Sequence, residues 1–199
     1  MKTSKQLWVL AGGNGAGKST FYHNNLAETG MLFVNADQIA KDFDEVDTDT
    51  LNYRIATLTA GLRDELLEQG TPFCYETVFS HVSKIDCISR AIALGYEVIL
   101  VYIHLENSNL NEVRVSQRIA AGGHSVPADK IHSRIPRTMK HIAKALPLVS
   151  EARLLDNSLR DNPFKQVAVV KKGLLTFKID TPPDWAKIII NGIAEAPQE

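Results

Sequence analysis

The stretch Gly12-Gly13-Asn14-Gly15-Ala16-Gly17-Lys18-Ser19-Thr20 follows an apolar run, residues 6–11, and precedes a segment, residues 21–28, whose composition suits a helix. It has the pattern G-x-x-x-x-G-K-S, in which glycines let successive backbone N–H groups point at an anion. The N-terminus of the following helix adds a partial positive charge there. A glycine-rich turn that matches by chance is the alternative, but the strand and helix context disfavours it. We therefore predict that residues 12–20 bind nucleotide phosphates, with Lys18 on the β- and γ-phosphates and the Ser19 hydroxyl on Mg²⁺.

Strand-like and helix-like segments alternate along the rest of the chain. Apolar runs predict strands at residues 31–35, 72–77, 97–105 and 152–156. Helical spacing predicts helices at 51–69, 83–94, 109–121 and 128–146. A hairpin with its helix, over about residues 166–195, completes the chain. This rhythm predicts an α/β fold of three layers, with a central mostly parallel sheet and helices on both faces. Together with the motif at residues 12–20, it indicates the P-loop NTPase/kinase fold.

Pro136 interrupts the helical pattern of residues 128–146, and we expect it to kink or end that helix because proline lacks a backbone N–H.

Length and composition set limits on function. The 199 residues suit a single domain, and the net charge of −1 argues against bulk binding to nucleic acid or anionic membrane. No apolar run approaches 18 residues, so we expect no membrane span. The two cysteines, Cys74 and Cys87, do not form a C-x-x-C motif, and free thiols favour a reducing compartment. We therefore expect a cytoplasmic protein.

The signatures that other P-loop classes need are missing. The chain contains no Asn-Lys-x-Asp that would read guanine. It also lacks the Ser-Gly-Gly signature of a transporter ATPase, and no long apolar strand ends in Asp-Glu. Instead, an acid, Asp37, follows the second predicted strand, and a basic segment lies about 100 residues downstream of the P-loop. These features favour a small kinase that uses ATP and Mg²⁺.

Several motifs occur together in this order: Asn35-Ala36-Asp37, Glu76-Thr77, Arg114-Val115-x-x-Arg118, Gly122-Gly123-His124-x-Val126-Pro127, Arg134 and Asp156-Asn157-Ser158. The set resembles the zeta-toxin family of P-loop kinases, specifically its short branch that is often labelled predicted ABC-type ATPase. The resemblance spans about residues 6–158. It implies phosphorylation of a hydroxyl by ATP, on UDP-N-acetylglucosamine in the characterised toxins, and an antitoxin protein as a partner. Those toxins are longer than 199 residues, so the acceptor and the toxicity of this chain stay open.

The resemblance also implies roles for three residues at strand ends. Asp37 matches the catalytic acid, which would contact the substrate and accept its hydroxyl proton. The alternative for Asp37 is an N-cap of the helix after the second strand, and both roles are compatible. Glu76 and Thr77 match substrate-binding residues, with a solvated strand end as the alternative.

A helical lid over about residues 114–137 is implied as well. Arg118 and Arg134 match arginines that reach the γ-phosphate, which a planar guanidinium can bind through two oxygens. The alternative is that they are exposed helical charges, and this alternative is stronger for Arg114 and Arg137. His124 suits a loop hydrogen bond better than a general base.

Together with Lys18, these residues predict an ATP-dependent phosphotransferase that acts on a small acceptor. The alternatives are an ATP-binding or ATP-hydrolysing regulatory protein without small-molecule kinase activity, and an enzyme that phosphorylates a nucleic-acid end.

Overall fold

The computed structural model of the chain describes residues 4–40, 43, 49–120 and 127–194. The strands within these ranges are β1 (Gln6–Ala11), β2 (Leu32–Val34), β3 (Phe73–Thr77), β4 (Glu97–His104), β5 (Glu151–Asp156), β6 (Lys165–Lys171) and β7 (Leu174–Phe177). The α-helices are α1 (Lys18–Asn25), α2 (Ala36–Ala40), α3 (Asp49–Gln69), α4 (Ser83–Ala93), α5 (Ser108–Ala120), α6 (Ala128–Ala145) and α7 (Asp184–Ala194). A 3₁₀ turn, Ala27–Thr29, follows α1.

The seven strands form one sheet in the order β2-β3-β1-β4-β5-β6-β7. The first five strands of this order are parallel, whereas β6 pairs antiparallel to β5, and β7 pairs antiparallel to β6. The predicted mostly parallel sheet is confirmed, and the predicted hairpin extends it at one edge. Since β3 and β4 flank β1, the carboxyl ends of these three strands open onto the loop that follows β1.

Both faces of the sheet are covered, as predicted. Alternate side chains of β4 enter two separate cores: Val98, Leu100 and Tyr102 belong to one, and Ile99, Val101 and Ile103 to the other. The first core contains side chains from α3, α4, α6 and α7, and the second contains Phe21 and Tyr22 of α1. Such continuous apolar strands are typical of parallel sheets buried on both faces. No helix among the described residues is long and apolar enough to cross a membrane.

Pro136 does not end its helix, so of the two outcomes expected for it, a kink or an end, the second is wrong. α6 is helical from Ala128 to Ala145 with Pro136 inside it. Ile131 before the proline and Ile142 after it are both buried, so packing stabilises the helix on both sides of the missing N–H. Pro136 itself is exposed. The predicted lid, about 114–137, therefore combines the end of α5 with the start of α6, while residues 121–126, including Gly122, Gly123 and His124, lie outside the described ranges.

His104, at the end of β4, is buried and stacks on the Trp185 ring. The distance between its Nδ1 atom and the Tyr102 hydroxyl oxygen is 2.8 Å. Burial lowers the pKa of His104 to about 4, although Asp156 acts in the opposite direction. The unfolded chain therefore takes up this proton at a higher pH than the folded one does. The free energy of unfolding should fall as the pH drops from about 6.5 to 4, by about 3 kcal/mol from this group.

Urea titrations across this range should show a weaker pH dependence for His104→Gln. The exposed histidine variant His23→Gln should keep the dependence of the wild type. An unchanged slope in His104→Gln would contradict the assignment of this titration to His104.

Candidate functional site

The P-loop connects β1 to α1 at the carboxyl edge of the sheet. α1 begins at Lys18, directly after Gly17, whose φ of 97° lies in the left-handed region that favours glycine. A Cβ on Gly17 would lie 2.6 Å from the Asn157 Nδ2 atom, so the close approach also requires glycine. Within the loop, the Ala16 N–H donates to the Gly13 carbonyl at 3.2 Å. The predicted strand–loop–helix arrangement is therefore present.

Two buried asparagines from distant parts of the chain hold the loop in place. Asn111 of α5 donates from Nδ2 to the Asn14 carbonyl at 2.7 Å. Asn157, just after β5, donates from Nδ2 to the Ala16 carbonyl at 2.9 Å. Neither was predicted as a site residue. For Asn157 a signal existed, because it follows a predicted strand at the edge where the P-loop lies, but Asn111 sits in a helix without any local signature.

Glu76 lies at the centre of a polar network beside the P-loop. Its Oε2 accepts hydrogen bonds from the Ser19 hydroxyl at 2.6 Å and from Asn35 Nδ2 at 2.9 Å. Its Oε1 lies 3.4 Å from Lys18 Nζ, and both side chains of this pair are largely buried. Lys18 also donates to the Gly13 carbonyl at 3.0 Å. A carboxylate at the end of β3 thus contacts the two P-loop side chains that were predicted to bind phosphate and metal.

Asp37 lies in the first turn of α2, and the cap of this helix is a different residue. The Asn35 side-chain oxygen accepts from the Asp37 N–H at 2.7 Å and from the Gln38 N–H at 3.4 Å. The alternative interpretation of Asp37 as the N-cap is therefore wrong, because Asn35 already provides the cap. The Asp37 side chain is exposed and faces the cavity described next.

A cavity of about 680 Å³, the P-loop cavity, lies at this edge of the sheet. Its wall contains both Asp37 and the Glu76-Thr77 pair, which the structure therefore brings together with the P-loop. The P-loop residues on the wall are Asn14, Gly15, Gly17, Lys18, Ser19 and Thr20, whereas Gly12, Gly13 and Ala16 do not line the cavity. The wall also contains Leu159, Arg160, Pro163 and Phe164, which follow β5 in the chain. The volume and the mixed polar and apolar wall suit a nucleotide.

Thr77 ends β3 and supports the turn that follows. Its Oγ1 accepts from the Phe79 N–H at 3.1 Å, where Phe79 has a φ of 64°. A phenylalanine in the left-handed region is unusual, and this hydrogen bond helps to hold it there. Thr77 and Glu76 also line a second cavity of about 280 Å³, on the side of α3, α4 and α6.

The predicted arginines occupy different places. Arg134 of α6 is half-buried and lines the second cavity, not the P-loop cavity. Arg118 lies in α5, but its side chain falls outside the described part of the structure. Arg114, which the sequence marked as an exposed charge, lines the P-loop cavity and donates from Nη2 to the Asn157 carbonyl at 3.0 Å. Arg114 and Arg118, four residues apart in α5, indicate that this helix contributes arginine to the site. Their spacing alone does not tell which of the two faces the cavity.

Comparison with known proteins supports the same fold. An uncharacterized protein of Haemophilus influenzae is 27% identical over 137 residues, which cover 65% of this chain and 97% of that protein. The structure of AvrRxo1-ORF1:-ORF2 with ATP has a TM-score of 0.70 at 20% identity, covering 89% of this chain and 61% of that chain. This chain thus spans about three-fifths of the length of that chain.

A structure from the PezAT chromosomal toxin-antitoxin system of Streptococcus pneumoniae has a TM-score of 0.65 at 15% identity. The match covers 98% of this chain and 88% of the chain from the PezAT system. At these identities the likeness establishes the fold alone, and it agrees with the predicted P-loop NTPase/kinase fold class. The sequence model of the family described as zeta toxin matches residues 2–171. The chain belongs to the zeta toxin family.

Proposed function

We propose that the protein is an ATP-dependent phosphotransferase, which transfers the γ-phosphate of ATP to a hydroxyl group of a small acceptor. One observation carries the proposal: the P-loop and Asp37 line the same cavity at the carboxyl edge of a parallel sheet. A phosphate-binding loop alone would serve hydrolysis equally well. A carboxylate that faces the same cavity adds a group able to accept the proton of an attacking hydroxyl.

The P-loop would bind the phosphates of ATP through backbone N–H groups and Lys18. The Lys18 amino group is buried and already held in the loop by the Gly13 carbonyl. Lys18 forms an ion pair with Glu76. A bound phosphate group would compete with the Glu76 carboxylate for Lys18, because the phosphate and the carboxylate are both anions that bind the same ammonium group. Phosphoryl transfer depends largely on positioning and charge neutralisation, which a preorganised lysine supplies.

Ser19 and Glu76 fit a role in holding Mg²⁺. The Ser19 hydroxyl and the Glu76 carboxylate are oxygen groups that lie 2.6 Å apart at the start of α1. Oxygen ligands of this kind are the ones Mg²⁺ prefers, and it is usually held by few protein groups together with substrate phosphates. When bound, the metal would neutralise charge on the phosphates. Glu76 therefore suits the metal side of the site better than the substrate-binding role predicted for it, and Thr77 remains a candidate for the acceptor.

Asp37 would bind the acceptor hydroxyl and take its proton. Its exposure on the cavity wall leaves room for an acceptor next to the P-loop. Arg134 and Arg118 complete the proposal as the groups that neutralise charge on the transferred phosphate when the lid closes over the site. Arg114 and Arg160 on the P-loop cavity wall would contact the nucleotide.

UDP-N-acetylglucosamine is the first acceptor to test, since the family resemblance implies a nucleotide sugar. An antitoxin protein is the partner that the same resemblance implies, and a structural neighbour comes from a toxin-antitoxin system. We place the protein in the cytoplasm, where ATP and Mg²⁺ are available and the free thiols of Cys74 and Cys87 stay reduced.

The test is transfer of label from γ-labelled ATP, in the presence of Mg²⁺, to UDP-N-acetylglucosamine and to a bacterial metabolite extract. We expect label in a small molecule other than inorganic phosphate. Release of inorganic phosphate alone would contradict the kinase function and favour an ATP-hydrolysing regulatory protein.

A further inference from the structure

The sheet ends at β7 in an edge that the proposed function does not use. β7 pairs with β6 on one side, and no strand of the described residues pairs with it on the other. Its residues line neither cavity. β7 also lies beyond residue 171, where the match to the zeta toxin family model ends. The surface along this edge is therefore separate from the proposed phosphotransferase site.

The backbone groups of β7 alternate between β6 and the open edge. Opposite residues of an antiparallel pair are alternately hydrogen-bonded and not hydrogen-bonded. The Lys178 N–H donates to the Val167 carbonyl at 2.9 Å, which sets the phase of this alternation. Thr176 therefore bonds to β6, whereas the N–H and C=O groups of Leu175 and Phe177 point away from it. No described residue bonds to these outward groups, so they are available to another strand.

Apolar side chains are exposed on both faces of this edge. Leu174 is 72% exposed and Phe177 is 41% exposed. Successive strand residues point to opposite faces, so Phe177 shares a face with Leu175, which packs on the first core. Leu174 shares the other face with Thr176. An added strand gains affinity from the unpaired main chain of an edge and specificity from alternate side chains, and β7 offers both.

The hairpin that ends in β7 is basic. Residues 165–178 contain no aspartate or glutamate and four lysines: Lys165, Lys171, Lys172 and Lys178. All four lysines are exposed. Lys171 pairs with Glu151 at 3.3 Å, whereas the other three form no ion pair with a described residue. The edge is therefore locally positive, although the net charge of the chain is −1.

These lysines discriminate between the strands that could pair with β7. Two copies of the chain joined antiparallel along β7 would bring Lys178 of one copy toward Lys172 of the other. Like charges across a strand pair are destabilising, so the lysines hinder pairing of identical edges. An acidic strand would meet the same side chains with opposite charge. Charge complementarity thus favours an acidic partner over a second copy.

We propose that β7 binds an extended acidic segment of a partner protein, which adds to the sheet as a further strand. The backbone of this segment pairs with the outward groups of Leu175 and Phe177. Its apolar side chains lie beside Phe177 on one face. On the other face, its carboxylates reach Lys178 at one end of β7 and Lys172 at the turn. This interface goes beyond the proposed function, because no step of phosphate transfer involves it.

Selection of peptides tests the chemistry of the partner. The full chain is immobilised and presented with a phage library of random peptides of about nine residues, a length that spans β7. We expect the enriched sequences to alternate apolar residues with aspartate or glutamate and to be depleted in lysine and arginine. Absence of enriched sequences, or enrichment of neutral or basic ones, would overturn the inference.

Variants of Phe177 locate the bound peptide. The most enriched sequence is synthesised with a fluorescent label and titrated by fluorescence polarisation. Phe177→Pro removes an outward N–H, and an edge strand tolerates proline where the N–H faces solvent. It should weaken peptide binding at least tenfold more than Phe177→Ala, which removes the side chain alone. Both variants should bind a non-hydrolysable ATP analogue as the wild type does, which confirms that the fold is intact. Equal peptide binding by the two variants would contradict pairing with β7.

Charge reversal tests the role of the lysines. Lys178→Glu should weaken binding of the acidic peptide at least tenfold and should favour a peptide in which lysines replace the acids. Lys140→Glu is the matched control, because Lys140 is an exposed lysine of α6 outside the hairpin and outside both cavities. It should leave peptide binding unchanged. Equal losses in Lys178→Glu and Lys140→Glu would overturn the inference.

Analytical ultracentrifugation distinguishes an acidic partner from a second copy. The wild type and Phe177→Pro should have the same sedimentation coefficient, since β7 is not expected to join two copies. A dimer of the wild type that dissociates in Phe177→Pro would assign the edge to a second copy and overturn the inference. None of these results depends on whether the protein phosphorylates an acceptor, so the inference and the proposed function fail separately.

Discussion

Asp37→Asn is expected to lower the rate of phosphate transfer to the acceptor by about 10²- to 10⁴-fold, the range attributed to a positioned general base. Asparagine keeps the size and polarity of the side chain but cannot accept the hydroxyl proton. The affinity for ATP should change little, because the proposed phosphate contacts come from Lys18 and the loop backbone. Single-turnover transfer and titration with a fluorescent ATP analogue measure the two quantities separately.

Asp86→Asn provides the control for this substitution. Asp86, like Asp37, is an exposed acid in the first turn of a helix, but it lines neither cavity. Its replacement removes a similar interaction with a helix N-terminus and should leave transfer unchanged. Equal rates for Asp37→Asn and the wild type would remove Asp37 from the chemistry, and a joint loss of ATP binding would place it on the nucleotide instead.

Lys18→Ala is expected to weaken ATP binding and to lower transfer by about 10²- to 10³-fold, the typical cost of losing one group that stabilises transition-state charge. The structure adds an effect on stability. Without Lys18, the largely buried Glu76 loses the cation that lies 3.4 Å away. A charged group left incompletely paired should cost about 1–3 kcal/mol of unfolding free energy.

The double variant Lys18→Ala/Glu76→Gln separates the two effects. Neutralising Glu76 should recover most of the lost stability in urea titrations, because glutamine can still bond to Ser19 and Asn35. Catalysis should remain as low as in the single variant. If Lys18→Ala retains normal turnover, the interpretation of this loop as the phosphate-binding site is wrong.

Much of the fold could be predicted because it depends on local patterns. The P-loop motif, the continuous apolar run of β4 and the turn at Lys171-Lys172-Gly173 each determine their own structure. The placement of Glu76 at the edge of the sheet followed from the rule that parallel strands end at the same side. Its contacts with Ser19 and Lys18 did not follow, since they depend on β3 lying beside β1 in matched register.

Hydrogen bonds between residues that lie far apart in the sequence could not be predicted. Asn111 bonds to Asn14 and Asn157 to Ala16, and no periodicity marks such pairs. The expectation that Pro136 could end its helix was wrong for the opposite reason: the local rule was strong, and packing of α6 on both sides of the proline overrode it. The second cavity likewise arises only when α3, α4 and α6 meet.

The position of Glu76 has a thermodynamic consequence for how two substrates would bind. Its carboxylate contacts Lys18 and Ser19 on one side and forms part of the wall of the second cavity on the other. A ligand that displaces this carboxylate from Lys18 changes the shape and charge that a second ligand meets. The two affinities are then linked, and by reciprocity each ligand alters the affinity of the other by the same factor. Glu76 would thus make the binding of nucleotide and acceptor cooperative within a single small domain.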